Sequence, residues 1–363
     1  MTVNFFNLAT FFLLFAAGAA LTILLTPIIR GFASSAGIVS TTRYGSYEKV
    51  RIPLLGGIAI AVSFFTITLL VWTVVSPHEN ILVKHLYGLA IGSGILLFGG
   101  YLDDRLRLPP KIQVIFPCLA AIAVIASGID ISYITNPIFP DRLIYLTAYE
   151  KTLFYLNGIP YKLVLPGDFI TFIWLLVAMY ATKLNDGLDG LVTGVSFITA
   201  LFIFLVSWFL LKELDLALLS AIFAGSLLGF YFFNRYPASI YLGEGGSLFA
   251  GFILGTFAIL SDAKIVMTSL ILAIPIMDVL FTITRRIKKG VPPWRGDELH
   301  LHHRLIALGM SQRQAVFIIF GFTAVFGMLV FLWQSSFKYY FAGFIILVAA
   351  MTGVFIWRVY KKT

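Results

Sequence analysis

The chain has 363 residues, 60% hydrophobic and only 12% charged, with a mean hydropathy of +0.95. Soluble domains carry about 45–50% apolar and about 25% charged residues, so one water-soluble core is excluded and a bilayer must solvate most of the chain. The formal charge of +9 does not read as a nucleic-acid surface, because the basic residues cluster at the ends of apolar runs, where membrane topology puts them.

A helix of about 20 apolar residues crosses roughly 30 Å of hydrocarbon, and backbone groups in lipid must bond within their own segment. Eleven runs qualify: 5–27, 54–76, 82–102, 112–129, 167–184, 190–211, 215–233, 246–261, 265–284, 314–334 and 338–357. Phe5 to Ala20 ends in small residues, as a signal peptide does. No basic residue precedes it and the apolar run continues to Pro27, so it reads as a retained span. Eleven spans put the termini on opposite sides. With the N-terminus outside, 19 of the 26 Lys and Arg residues fall in inner loops and 7 outside, which places the C-terminus in the cytoplasm. The expected fold is a single all-α integral membrane domain over 1–363. Cys118 is the only cysteine, so no intrachain disulfide forms.

The outer stretch 128–166 reads as extended. Asn157-Gly158 separates Leu153–Leu156 from Tyr161–Val164, a hairpin signal. An inner loop, 285–313, carries His300-Leu-His-His-Arg304. Gly225/Gly229 and Gly251/Gly255 are spaced to let helices pack closely.

The topology gathers the polar residues on one face. Asp103-Asp104 ends the third span, and Lys183-Leu-Asn-Asp-Gly-Leu-Asp-Gly190 ends the fifth. Asn234 and Glu244 lie between the seventh and eighth, Asp278 lies in the ninth, and the histidine motif follows. Charges at membrane depth are expensive, so they are functional candidates. Each motif alone has a plainer reading: a solvated loop for Asp103-Asp104, a turn for Asp186–Gly190, a headgroup anchor for the histidines. If helical, Asp186 and Asp189 share a face, and their glycines admit a ligand to the backbone. The histidines could hold a metal, but no cysteine accompanies them, and imidazole with guanidinium suits phosphate oxygens better. Together, carboxylates, an amide and cations at one surface are what phosphoryl transfer needs.

Six segments carry a resemblance: Pro53-Leu-Leu-Gly-Gly57, Gly100-Tyr-Leu-Asp-Asp104, Asp186-Gly-Leu-Asp-Gly-Leu191, Asn234–Pro237 with Gly243-Glu-Gly-Gly-Ser247, Pro275-Ile-Met-Asp278, and His300-Leu-His-His-Arg304. In this order, across nearly the whole chain, they resemble the polyprenyl-phosphate N-acetylhexosamine-1-phosphate transferases of glycosyltransferase family 4. That family starts O-antigen, teichoic acid and arabinogalactan synthesis and includes the lipid I synthase. The histidine motif is closer to the N-acetylglucosamine-1-phosphate branch than to lipid I synthase.

The resemblance implies a bacterial cytoplasmic-membrane enzyme that moves a hexosamine 1-phosphate from a UDP-sugar to polyprenyl phosphate and releases UMP. Asp103 would position or deprotonate the lipid phosphate, with Asp104 beside it. Asp186, Asp189 and Tyr241 would hold the nucleotide, Tyr241 stacking on uracil. Asn234 would lie near the diphosphate or sugar, and His300, His302, His303 and Arg304 would grip phosphate or sugar. Lys111 matches a basic position after the aspartate pair. Mg2+ would bridge the diphosphate, and the family suggests a homodimer.

Five positions depart from the pattern. Glu244 stands where the family has a metal-binding Asp, and Tyr180 and Lys183 where it has the two asparagines of Asn-x-x-Asn. Ser40 and Glu48 replace a common Asp and His. The changes at Glu244 and Lys183 look coupled: one reading has the Lys183 ammonium in part of the metal's place, paired with Glu244. The other keeps Glu244 on Mg2+ and puts Lys183 on a phosphate. Two rivals come from other classes. A transporter or flippase would place its polar groups near the midplane and often shows internal repeats; here they collect at one surface and no repeat is seen. A silent relative would bind lipid phosphate without turnover.

Overall fold

A computed structural model describes residues 7–44, 48–75, 81, 83–135, 143–147, 149–156, 159–261, 276–278, 282, 284, 286, 290 and 300–334. Helix α1 (Leu8–Ser35) is capped by Asn7, whose side chain accepts the Thr10 N–H at 3.0 Å. A hairpin follows, β1 (Val39–Tyr44) against β2 (Glu48–Pro53). Then come α2 (Gly56–Val75), α3 (Val83–Leu106), the short α4 (Pro110–Gln113) and α5 (Ile115–Ala126). Four strands come next: β3 (Tyr133–Thr135), β4 (Leu143–Tyr145), β5 (Tyr149–Leu156) and β6 (Ile159–Leu165). The bundle resumes with α6 (Gly167–Leu184) and α7 (Leu191–Leu205), which runs on as a π turn to Leu211. It continues through α8 (Leu214–Asn234), α9 (Glu244–Leu260), α10 (Leu301–Ala307) and α11 (Gln312–Gln334).

Among the described residues, seven helices are long and apolar enough to cross a membrane, and two shorter apolar ones, 110–126 and 244–260, accompany them. These nine match nine of the eleven expected spans. The expected spans 265–284 and 338–357 lie outside the described residues, apart from a few positions of the first. Helix α1 runs to Ser35, past the Pro27 at which the apolar run stops. In a bundle, the carbonyl freed by an interior proline is tolerated. Span 112–129 is broken at Val114, which separates α4 from α5.

The chain is mostly helical, as expected. Among the described residues, three two-stranded antiparallel sheets lie between the helices: β1–β2, β3–β4 and β5–β6. The third is the expected one, with Tyr149 opposite Leu165, while its Asn157-Gly158 turn lies outside the described residues. The first escapes a search for apolar runs, because Val39–Tyr44 and Glu48–Pro53 are short and half polar.

Apolar side chains gain little by moving from lipid to protein, so close packing holds these helices together. Gly225 and Gly229 of α8 press on the backbone of α1 at Phe15 and Ala19, as their spacing predicts. Gly251 of α9 meets the Ala178 carbonyl and Thr182 of α6, where the Thr182 hydroxyl donates to Ser247 O at 2.7 Å. The centre is aromatic: Phe64, Phe223, Phe249 and Phe257 are fully buried and meet edge to face. Buried hydroxyls donate to carbonyls one turn back, as in Thr22 to Gly18 O, Ser93 to Leu89 O and Thr256 to Phe252 O.

The tightest seam joins three helices. A Cβ on Gly100 of α3 would fall on the Gly245 backbone of α9, and one on Gly57 of α2 on Gly246 Cα. Alanine at Gly100 therefore collides with backbone that cannot swing aside. We expect Gly100→Ala to lower the thermal unfolding midpoint in detergent by the equivalent of about 1–3 kcal/mol. Gly94→Ala, on the same helix with open space around it, should leave the midpoint unchanged.

Candidate functional site

Seven elements point one end at the same place. Helices α3, α6 and α8 finish there, and α2, α7, α9 and α11 start there. The end of the bundle encloses a cavity of about 400 Å3, lined by Asp104, Lys183, Asp186, Asp189, Asn234, Tyr241 and Glu244, with Ser40, Thr41 and Gln312 among the other wall residues. That volume falls within the roughly 300–1,000 Å3 of small-molecule sites.

A backbone ladder builds one wall. The Tyr241 N–H donates to Pro53 O, while the Gly56 and Gly57 N–H groups donate to Tyr241 O and Leu242 O, each at 2.9 Å. Pro53–Gly57 is thus a structural brace that fixes Tyr241 at the cavity. Gly243 follows with φ +77, a conformation that favours glycine, and a Cβ there would lie 2.6 Å from Asp104 Oδ2. The Glu244 N–H then faces both Asp104 oxygens at 3.3 Å, so this carboxylate sits at the positive end of α9.

The segment 185–190 supplies the opposite wall. It is a chain of turns, not the helix that would have given its aspartates one face, yet both aspartates line the cavity. Asp189 Oδ2 accepts the Ala238 N–H at 2.8 Å, and Gly190 starts α7 with φ +75. Asp186 is open to the cavity but surrounded by protein. Desolvation, then the charges of Glu244, Asp104 and Asp189, push its carboxyl up to about 8. Asn234 is held by the Thr193 hydroxyl at 2.7 Å and by Ile240 O at 3.0 Å.

Lys183 and Glu244 meet. The Lys183 Nζ lies 2.8 Å from Glu244 Oε2 and donates to Gln113 Oε1 at 3.1 Å. Gln113 Nε2 donates onward to Asp103 Oδ1 at 3.0 Å and to Leu108 O at 2.8 Å. Asp103 also accepts the Leu108 N–H at 2.8 Å. Asp103 is buried and does not line the main cavity; it opens on a small second cavity with Gln113, Phe116, Lys183 and Glu244. Gln113 is the functional residue that motif reading missed. Its available signal was a lone amide beside an apolar run at the membrane surface. Lys111 is exposed on α4 and lines neither cavity.

No member of the histidine motif lines the cavity; His302 touches one of its wall residues, Gly187, from behind. His300 Nδ1 lies 2.7 Å from the buried Asp278 Oδ2, and the Leu301 N–H donates to Asp278 Oδ1 at 2.6 Å. His302 is buried against Gly187, and neither ring nitrogen has a hydrogen-bond partner among the described residues. Burial, with His303 beside it, pushes its imidazole down to about 3, so it is neutral. Arg304 is buried and His303 exposed, and neither they nor His300 line the cavity.

The glycosyl transferase family 4 model matches residues 86–262, the stretch that carries Asp103 through Glu244. Over that stretch the chain is similar to glycosyl transferase family 4. Similar relatives extend the likeness on both sides of that match. A probable undecaprenyl-phosphate N-acetylglucosaminyl 1-phosphate transferase of Bacillus subtilis is 29% identical over 86% of this chain and 82% of its own length. A decaprenyl-phosphate N-acetylglucosaminephosphotransferase of Mycolicibacterium smegmatis is 27% identical over 83% and 77%. An undecaprenyl-phosphate alpha-N-acetylglucosaminyl 1-phosphate transferase of Escherichia coli K12 is 26% identical over 87% and 78%. These names belong to the N-acetylglucosamine-1-phosphate branch of the family.

A Cβ on Gly187 would overlap His302 Nε2. Gly187→Ala should therefore destabilise the protein less in a His302→Ala background than alone, with a coupling of about 0.5–3 kcal/mol between neighbours. Thermal unfolding of the two single variants and the double variant checks this.

Proposed function

We infer that this protein transfers N-acetylglucosamine 1-phosphate from UDP-N-acetylglucosamine to a polyprenyl phosphate and releases UMP. The observation that carries the reading is the polar cavity at one end of an apolar bundle, in a chain similar to family 4 whose relatives bear that activity in their names. A site at the end of the bundle supports an enzyme over a transporter, whose binding groups gather at the midplane.

An oxygen of the lipid phosphate bonds to the β-phosphorus of the donor. The bond from that phosphorus to the bridging oxygen breaks, and UMP leaves with the electron pair. Asp103 positions or deprotonates the lipid phosphate from the small cavity, with Asp104 at its shoulder. Asp186 and Asp189 hold the nucleotide, Tyr241 stacks on uracil, and Asn234 borders the diphosphate or sugar. His302, under Gly187, braces the loop that carries Asp186; the phosphate or sugar grip that the resemblance gives to His300, His303 and Arg304 has no counterpart in the cavity lining, and His300 instead anchors on Asp278. Exposed Lys111 attracts the lipid headgroup.

The proposed setting is a bacterial cytoplasmic membrane. There the chain is a single eleven-span domain, 1–363, with its N-terminus outside, its C-terminus in the cytoplasm and a homodimeric assembly. Residues 128–166 form the outer loop and 285–313 a cytoplasmic one.

Mg2+ is the ion that the family resemblance implies, with Glu244 as its ligand. The donor set does not fit it. Glu244 faces the Lys183 ammonium, and Asp189 accepts a backbone N–H. Among the described residues, no three Asp, Glu, His or Cys side chains converge as an ion site. No step above therefore runs through a metal.

Purified protein in detergent, given undecaprenyl phosphate and UDP-N-acetylglucosamine, should release UMP only when the lipid is present. Asp103→Asn should lower the rate by about 10²–10⁴-fold, the usual worth of a positioned acid or base. Release with UDP-N-acetylmuramoyl pentapeptide instead would move the protein to the lipid I branch. Saturable lipid binding with no UMP would make it a silent relative.

A further inference from the structure

The Lys183–Glu244 pair stands where the family pattern puts an asparagine and a metal-binding aspartate, and three features decide what the pair does. The first is position. Lys183 and Glu244 line both the large cavity and the small one behind it; Asp104 opens on the first and Asp103 on the second. The small cavity has a volume of only about 10 Å3, so the cation's open side is toward the large cavity, where a donor diphosphate fits.

The second is how the ammonium is held. Its side chain is only 15% exposed, and it lies 2.8 Å from Glu244 Oε2 and 3.1 Å from Gln113 Oε1. Gln113 is in turn fixed by Asp103 and Leu108 O. An ammonium has three N–H donors; the Gln113 hydrogen bond uses one and the Glu244 contact is an ion pair, which leaves donors for a phosphate oxygen. The third is competition. A divalent ion on Glu244 must displace this ammonium or lie within a few ångströms of it, and like charges at that range repel strongly inside a protein.

We propose that Lys183 is a built-in counter-ion: held by Glu244 and Gln113, its ammonium takes the place beside the diphosphate that a divalent ion would fill, so the protein works without a tightly held metal. A lysine is a competent point charge on phosphate oxygens. The proposal rests on the transferase reading for the identity of the diphosphate, and not for the metal question itself.

Two measurements on the full-length protein in detergent test it. One is Mn2+ titration followed by electron paramagnetic resonance, without nucleotide. The other is UMP release in excess EDTA or in Mg2+. We expect no saturable Mn2+ site below about 1 mM and UMP release in EDTA within about threefold of that in Mg2+. The double variant Lys183→Asn with Glu244→Asp should gain saturable Mn2+ binding, and its release in EDTA should fall at least roughly 30-fold below that in Mg2+.

A saturable Mn2+ site in the unmodified protein that Glu244→Gln removes overturns the proposal. So does release that EDTA abolishes and Mg2+ restores. If the double variant does not fold, the unmodified protein's two readouts decide alone. If no UMP appears under any condition, the transferase reading fails, and the Mn2+ titration still decides this proposal.

Discussion

Everything at the candidate site depends on three backbones that touch. Gly57, Gly100 and the pair Gly245-Gly246 bring α2, α3 and α9 together with no side chain between them. That contact sets Asp104 against the first turn of α9, and hence against Glu244. The ladder from Pro53–Gly57 to Tyr241–Leu242 is the same contact continued into the loop. In lipid, apolar side chains gain little by meeting one another, so a place where helices can approach closely specifies the fold as much as a core does in water. The glycines flanking the acidic motifs thus hold the walls apart by a fixed and small distance.

The cavity itself shows how charge is handled at this depth. Five charged side chains face it, and one of them is a cation. Burial first, and then the neighbouring carboxylates, raise a carboxylate's affinity for its proton, as Asp186 illustrates. Lys183 counters this at one point, and Gln113 extends its reach to Asp103 without adding charge. The arrangement is polarised before any substrate arrives: negative walls, with one positive post at the divide.

Much of this was legible in the residues. Long runs of apolar residues marked the helices, because a helix is the structure that satisfies a lipid-embedded backbone within its own segment. The acidic and amide positions around the cavity were found from their places at the ends of those runs, and the paired departures at 183 and 244 foretold their contact. What was hidden is instructive. Nothing in the spacing brings Gln113 to Lys183, since that meeting depends on where α4 breaks from α5. The histidine motif named its chemistry but not its direction: Asp278 anchors the start of α10, and only His302 is turned against the loop. Strands β1 and β2 were invisible to a search tuned to apolar runs.

Helix α1 has 28 residues. At 1.5 Å per residue it is about 42 Å long, against a hydrocarbon layer of roughly 30 Å. An ordinary tilt of about 20° removes only a few ångströms of the surplus. The excess is a pedestal. It carries β1, whose Ser40 and Thr41 form part of the cavity rim, directly from its end. The first helix thereby sets an altitude for the chemistry. It holds the cavity rim beyond the length that its own apolar stretch needs to span hydrocarbon.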